Sequence, residues 1–165
     1  PRPHPLHPTA LAMNYWLMKS EADVYSIDDL ARDGSTMWDG VRNYQARNHM
    51  KSMKKGDIVL YYHSRQKPSA VMGIARVVRE SYPDPTQFDP DNKYFDAKSS
   101  EDDPRWWLVD VEFVRKFDEP VGLPDVKTEK GLAEMVLVKN SRLSVQPVRK
   151  AEFERILKMA GEPPL

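Results

Sequence analysis

The chain has 165 residues, 40% hydrophobic and 30% charged, with 25 cations matching 25 acids. That size and mixture describe one soluble domain with a buried core, and the even charge argues against indiscriminate coating of polyanions. No apolar run approaches the roughly 18 residues that cross a membrane, and the lack of cysteine excludes disulfides, thiolate nucleophiles and Cys-based zinc sites and fits the cytoplasm.

The first twelve residues, PRPHPLHPTALA, hold four prolines and two histidines and show neither a strand nor a helix period. They read as a disordered leader or an upstream extension, with a single folded domain expected over residues 13–161. Residues 14–19 (NYWLMK) predict a first strand. Ser26, with Asp29 three residues on, predicts a capped helix that stops at Gly34. A second helix is expected to start at Asn43 or in the preceding turn and to run to about Met53, stopped by Lys54-Lys55-Gly56-Asp57. Residues 57–63 and 70–80 predict a hairpin across a polar turn containing Pro68.

Residues 105–117 alternate as a strand, with Trp107, Val109, Val111 and Phe113 on one face and Asp110 and Glu112 on the other. The stretch from Pro83 to Pro104 has no period, and a connection of that length is either functional or disordered. One or two short helices broken near Gly131 are expected over 123–135. Short strands are expected over 135–139 and 142–148, then an amphipathic helix over 150–160 capped by Gly161. Strands and helices interspersed without regular alternation predict an α+β domain around a curved sheet or small barrel.

The charge is unevenly distributed. From Val41 to Lys55 there are five cations and no acid, whereas residues 84–103 hold seven acids and two lysines. A neutral chain with one basic segment suggests a local anion site, and a solvated helix face is the plainer alternative. Catalytic signals are thin. His63 and Ser64 are strand neighbours that point to opposite faces, and no nucleophile elbow surrounds Ser64. Paired acids at 28/29 and 102/103 are explained by a cap and by solvation.

A pocket for a flat heterocycle needs aromatic faces and groups that read a base edge. Trp38, Tyr44, Tyr62, Trp106 and Trp107 offer faces. Ser20, Asn43, Gln45, Asn48, His63, Ser64, Ser144 and Gln146 offer donors and acceptors, and Lys19, Arg42 and Arg47 can meet phosphates. Trp38 is singled out because it sits in a glycine-containing turn directly before the cation-rich helix.

Seven stretches, YWLMKSE (15–21), YSIDDL (25–30), WDGVRNYQARN (38–48), MKKGDIVLYYHS (53–64), VMGIARVVRESYPD (71–84), PRWWLVDV (104–111) and RLSVQPV (142–148), together resemble the EVE domain family. The resemblance spans residues 13–159. Ala22 departs from the proline usual after Lys-Ser-Glu, and Arg149 stands where a capping serine is common.

The resemblance implies a PUA-like fold, a curved antiparallel β-barrel with surrounding helices, related to YTH and ASCH domains. It further implies a non-catalytic reader of modified bases, modified cytosine foremost, in DNA or RNA, with no cofactor and no metal. Carried onto this chain, the base site comprises Lys19, Ser20, Trp38, Asn43, Tyr44, His63 and Ser64, with Ser144 and Gln146 as secondary members. A second aromatic wall is expected from Tyr62 or the Trp106/Trp107 pair. Arg42, Arg47, Lys51 and Lys54 are expected to hold flanking phosphates. The expected partner is nucleic acid rather than membrane, bound by a monomer, with room for a separate effector protein. Two rivals remain: an ASCH-like hydrolase of nucleosides or small molecules using His63, Lys19 and Glu21, and a general RNA-binding module.

Overall fold

The computed structural model describes residues 13–165 apart from residue 141, so the expected leader lies outside the described residues. Six strands, β1 (Tyr15–Glu21), β2 (Ser35–Met37), β3 (Ile58–Ser64), β4 (Ala70–Pro83), β5 (Trp107–Gly122) and β6 (Val145–Val148), form one sheet in the order β2-β5-β4-β3-β1-β6. Among the described residues five α-helices accompany them: α1 (Ile27–Asp33), α2 (Tyr44–Ser52), α3 (Leu123–Thr128), α4 (Val136–Lys139) and α5 (Lys150–Met159). The α+β class therefore holds.

The sheet is mostly antiparallel, as expected, with one parallel pair and no closure into a barrel among the described residues. β1 and β3 run parallel, Trp16 opposite Val59 and Ser20 opposite His63, while the other neighbours are antiparallel. A parallel pair needs a long crossover, and residues 22–57 supply it through α1, β2 and α2. Pairing also runs linearly from edge strand β2 to edge strand β6, with no ladder joining the two among the described residues.

The central strands are buried on both faces, which explains the unbroken apolar run of β3. Successive side chains point to opposite sides of a sheet. Leu17, Leu60 and Ile74 accordingly join one cluster with Phe153, Ile156 and Leu157 of α5. Met18, Val59 and Tyr61 join another with Leu30 of α1 and Met50 of α2. β5 changes sides along its length. Val109 and Val111 belong to the second cluster, whereas Phe117 and Val121 belong to the first, because the β4–β5 register shifts between them.

Helix ends follow the local chemistry. Ser26 Oγ accepts the Asp29 N–H at 3.0 Å and Asp29 accepts the Ser26 N–H at 2.9 Å, the reciprocal box expected for α1. Asn43 Oδ1 accepts the Ala46 N–H at 2.9 Å and starts α2. At α5, Glu152 accepts the Arg149 N–H at 2.8 Å. The Arg149 side chain has no acceptor to return the bond and donates its guanidinium to the same carboxylate instead. Gly161 and Glu162 close that helix by donating to the carbonyls of Lys158 and Leu157, both at 3.0 Å.

The strand expected over 135–139 is instead the single turn α4. Leu132, Met135 and Leu137 all reach the first cluster, and Asn140 N–H returns to the Val136 carbonyl at 2.7 Å. The strand expected over 142–148 is shortened to β6, an edge strand whose Pro147 is exposed.

Candidate functional site

The crossover delivers the stretch after β2 to the end of the sheet. Met37 lies opposite Asp110, and Trp38 N–H donates to the Val109 carbonyl at 2.9 Å. The chain then turns at Gly40, whose φ of +84° few side chains tolerate. A Cβ on Gly40 would also stand 2.5 Å from the Tyr94 ring. The turn is tied to the long connection between β4 and β5. Asp84, fully buried, accepts from Gly40 N–H at 2.8 Å, from Arg42 at 3.1 Å and from Thr86 N–H at 2.8 Å. Arg42 also donates to Thr86 Oγ1 at 3.1 Å and to the Tyr94 carbonyl at 2.8 Å. Gln87 orders the rest of that connection, donating to the carbonyls of Asp84 and Trp106 and accepting from Ser99 and Trp106.

Beside this turn lies a cleft of about 750 Å³. Trp38, 8% exposed, lines it and meets Tyr61 edge-on at 5.4 Å. Lys19, Ser20 and Glu21 at the end of β1, Ser64 at the end of β3 with Arg65 after it, and Ser144 before β6 line another part, with Lys19 N–H donating to the Ser144 carbonyl at 2.9 Å. Burial lowers the pKa of the Lys19 ammonium, which lies 5.4 Å from the Tyr62 ring. Asp39 also lines the cleft. Loss of hydration, followed by the nearby Asp84 charge, raises its pKa although much of the residue faces solvent. Lys19, Arg65, Lys93 and Arg142 give the lining a cationic excess over Glu21 and Asp39, while Arg42 is matched by Asp84 behind it.

The structure thus gathers Lys19, Ser20, Trp38, Ser64, Ser144 and Arg42 around one space. It sets the other expected members elsewhere. His63 is buried, and its Nε2 accepts the Ile27 N–H at 3.0 Å, so it serves as an anchor for α1 rather than as a cleft group. Gln146 is fully buried and donates to the Leu143 carbonyl at 2.7 Å. Asn43 is occupied as a cap. Tyr44 is 51% exposed and stacks on Trp106 at 4.8 Å, outside the cleft lining. Arg47 donates to the Arg105 carbonyl, Lys51 sits 4.7 Å over the Trp107 ring, and Lys54 is exposed, all three away from that lining.

The expected second wall also differs. Tyr62 faces the first apolar cluster, and Trp106 and Trp107 line no part of the cleft. The aromatic companions of Trp38 are Tyr25 and Tyr94. Tyr25 opens the family stretch YSIDDL, which carries no base-site expectation, and Tyr94 lies in the segment without a period. The turn chemistry of Asp84-Pro85 was the one local sign that this segment is ordered. Among the described residues, no group of three His, Cys, Asp or Glu side chains is placed to hold a metal, and no helix is long and apolar enough to cross a membrane.

Comparison with known proteins agrees with this architecture. The EVE domain pattern matches residues 14–159. Mouse thymocyte nuclear protein 1 is 41% identical over 170 residues, covering 92% of this chain and 75% of the relative. The crystal structure of human THYN1 protein in complex with 5-methylcytosine-containing DNA superposes with a TM-score of 0.86 at 40% identity, over 92% of this chain and 100% of that one. A YTH domain from Zygosaccharomyces rouxii MRB1, solved with N6-methyladenosine RNA, shares the fold at a TM-score of 0.52 and 14% identity, over 91% of this chain and 88% of that one. With its pattern matched almost end to end and a relative this similar over nine-tenths of its length, the chain belongs to the EVE domain family.

Proposed function

We propose that the cleft beside Trp38 receives a modified nucleobase, cytosine foremost, swung out of a nucleic-acid strand, and that the protein reads it without chemical change. The observation that carries this reading is the convergence of an aromatic set, Trp38, Tyr25 and Tyr94, with short polar side chains and a cationic excess around one space. Stacking on aromatic rings returns about 1–3 kcal/mol per base, enough to offset the few kcal/mol needed to extrude it. Hydroxyls of Ser20, Ser64 and Ser144 and the Lys19 ammonium provide edge contacts. A carboxylate such as Asp39 suits the exocyclic amine of cytosine. The human relative solved with 5-methylcytosine DNA supports the choice of base.

The same reading takes residues 13–161 as one domain acting as a monomer, its sheet curving as in PUA-like barrels, with a separate protein supplying any downstream effect. A nucleic-acid reader works where nucleic acid is held, and both the expected cytoplasm and the nucleus in the relative's name qualify.

Titration with an oligonucleotide carrying one 5-methylcytosine should give tighter binding than the unmodified oligonucleotide by about tenfold, the worth of a methyl group in an apolar slot. Equal affinities for the two would sink the proposal. Trp38→Phe should reduce the preference while the protein stays folded. Trp38→Ala is a poor probe, since removing so buried a ring leaves a cavity costing about 3–5 kcal/mol.

A second reading, hydrolysis of N-acylated nucleosides, draws on the lowered pKa of Lys19 beside Ser20 and Glu21. Product formation that disappears in Lys19→Ala would decide in its favour.

A further inference from the structure

We propose that Tyr44, Arg47 and Lys51 on α2 form a second contact surface, which holds the strand flanking the base in the cleft; this inference rests on the cleft being a base site. Its first support is continuity. The Arg42 guanidinium lies 5.6 Å from the Tyr94 ring and 5.4 Å from the Trp106 ring. Trp106 stacks on Tyr44 with an interplanar angle of 22°, and the Arg47 guanidinium lies 4.8 Å from the Tyr44 ring. Side chains therefore touch in series from the cleft wall at Tyr94 through Arg42 and Trp106 to the half-exposed Tyr44 and on to Arg47. A strand leaving the cleft past Arg42 meets Tyr44 next.

The second support is charge. Asp84 neutralises Arg42 within the fold. Among the described residues no carboxylate stands within 4.0 Å of Arg47, Lys51 or Lys54, and their segment contains no acid. The Arg42 charge is therefore spent within the fold, and Arg47 and Lys51 on α2, with Lys54 just beyond it, remain available to phosphate oxygens.

The third support is preorganisation. Hydrogen bonds to Asn48 Oδ1, at 3.1 and 2.8 Å, and to the Arg105 carbonyl at 2.8 Å fix the Arg47 guanidinium before any ligand arrives. Trp106, 6% exposed, holds the Tyr44 ring. Ring surface beside uncompensated cations is the combination that grips single-stranded nucleic acid. An acidic peptide would use the cations but gain little from an oriented ring.

The test uses the full chain, a short oligonucleotide with and without one central 5-methylcytosine, the free 5-methylcytidine nucleoside, and an oligoglutamate peptide. Tyr44→Leu keeps apolar cover on Trp106 while removing the ring, and Arg47→Gln removes the charge. The double variant should lose about ten- to hundredfold in affinity for both oligonucleotides, with their ratio and the nucleoside affinity unchanged. Arg47→Gln alone should reduce the slope of log affinity against log salt by about one. Oligonucleotide affinity in the double variant within about twofold of the parent overturns the proposal. So does an equal loss for oligoglutamate, which would mark a plain charge surface. A parent protein that binds both oligonucleotides equally, with the double variant still weakened, would overturn the base reading and leave the α2 surface standing.

Discussion

At the scale of single residues, His63 shows how a group expected to read a ligand can be consumed by the fold. Accepting the Ile27 N–H at Nε2 puts its proton on Nδ1 and requires the neutral ring. Burial lowers its pKa first of all; Gln66 and the charges of Asp28, Lys116 and Asp29 act on it more weakly and in mixed senses. His49, pressed against Trp16 at 5.7 Å, is lowered by burial as well. A histidine with a depressed folded pKa leaves the unfolded chain to bind the proton first. Its contribution is complete above about pH 6.5 and is lost as pH falls towards the folded value. Denaturant titrations at pH 7.5 and 5.5 should therefore show lower stability at the acid value. His63→Gln with His49→Gln should flatten that difference; an unchanged difference would move its cause to other groups. The sequence made Trp38, Lys19, Ser20, Ser64 and Ser144 legible, because they lie at strand ends or in a glycine turn where side chains reach open space. It hid Tyr94, which reaches the cleft only through contacts with Gly40 and Arg42, residues 54 and 52 positions earlier.

At the scale of elements, the ends of β1 and β3 form one side of the cleft, and a connection holds the turn that forms the other. Residues 83–104 carry no period, so the sequence offers only a functional or a disordered connection for them. The outcome turns on Asp84 and Gln87, whose partners lie in the Gly40–Arg42 turn and at Trp106. Asp84→Ala should strand the Arg42 charge and leave the Gly40 N–H unpaired, at a cost of about 3 kcal/mol. Amide exchange at Gly40 should rise along with the loss of stability; persistent protection there would show that the turn stands without its anchor. The α1 cap is legible because both halves of its signal are local, Ser26 with Asp29, whereas Asn43 is expected only as a starting point and the structure adds its bond from the Ala46 N–H. The strand expected at 135–139 failed for the complementary reason. Its apolar residues were legible, but only the packing of Leu132, Met135 and Leu137 into a cluster formed largely by distant residues chooses a turn of helix over a strand.

At the scale of the molecule, the strand order was beyond the sequence, since alternation tells which faces are apolar and not which strands adjoin. β1 lies between β3 and β6, so the first strand is covered on one side by the last. Removing residues 144–165 would bare the β1 edge and take Phe153, Ile156 and Leu157 out of the first cluster. Such a fragment should lose cooperative unfolding in a thermal melt; a sharp transition retained would show that the rest of the sheet is self-sufficient.

The Lys19–Ser144 contact has a consequence in time. During synthesis, Lys19, Ser20 and Trp38 leave the ribosome early but have no finished wall to face until Ser144 has followed and paired with the first strand. Contacts so distant along the chain form late. On the proposed reading, recognition would wait until translation has passed β6, and an interrupted chain would carry most of the cleft's residues without Ser144.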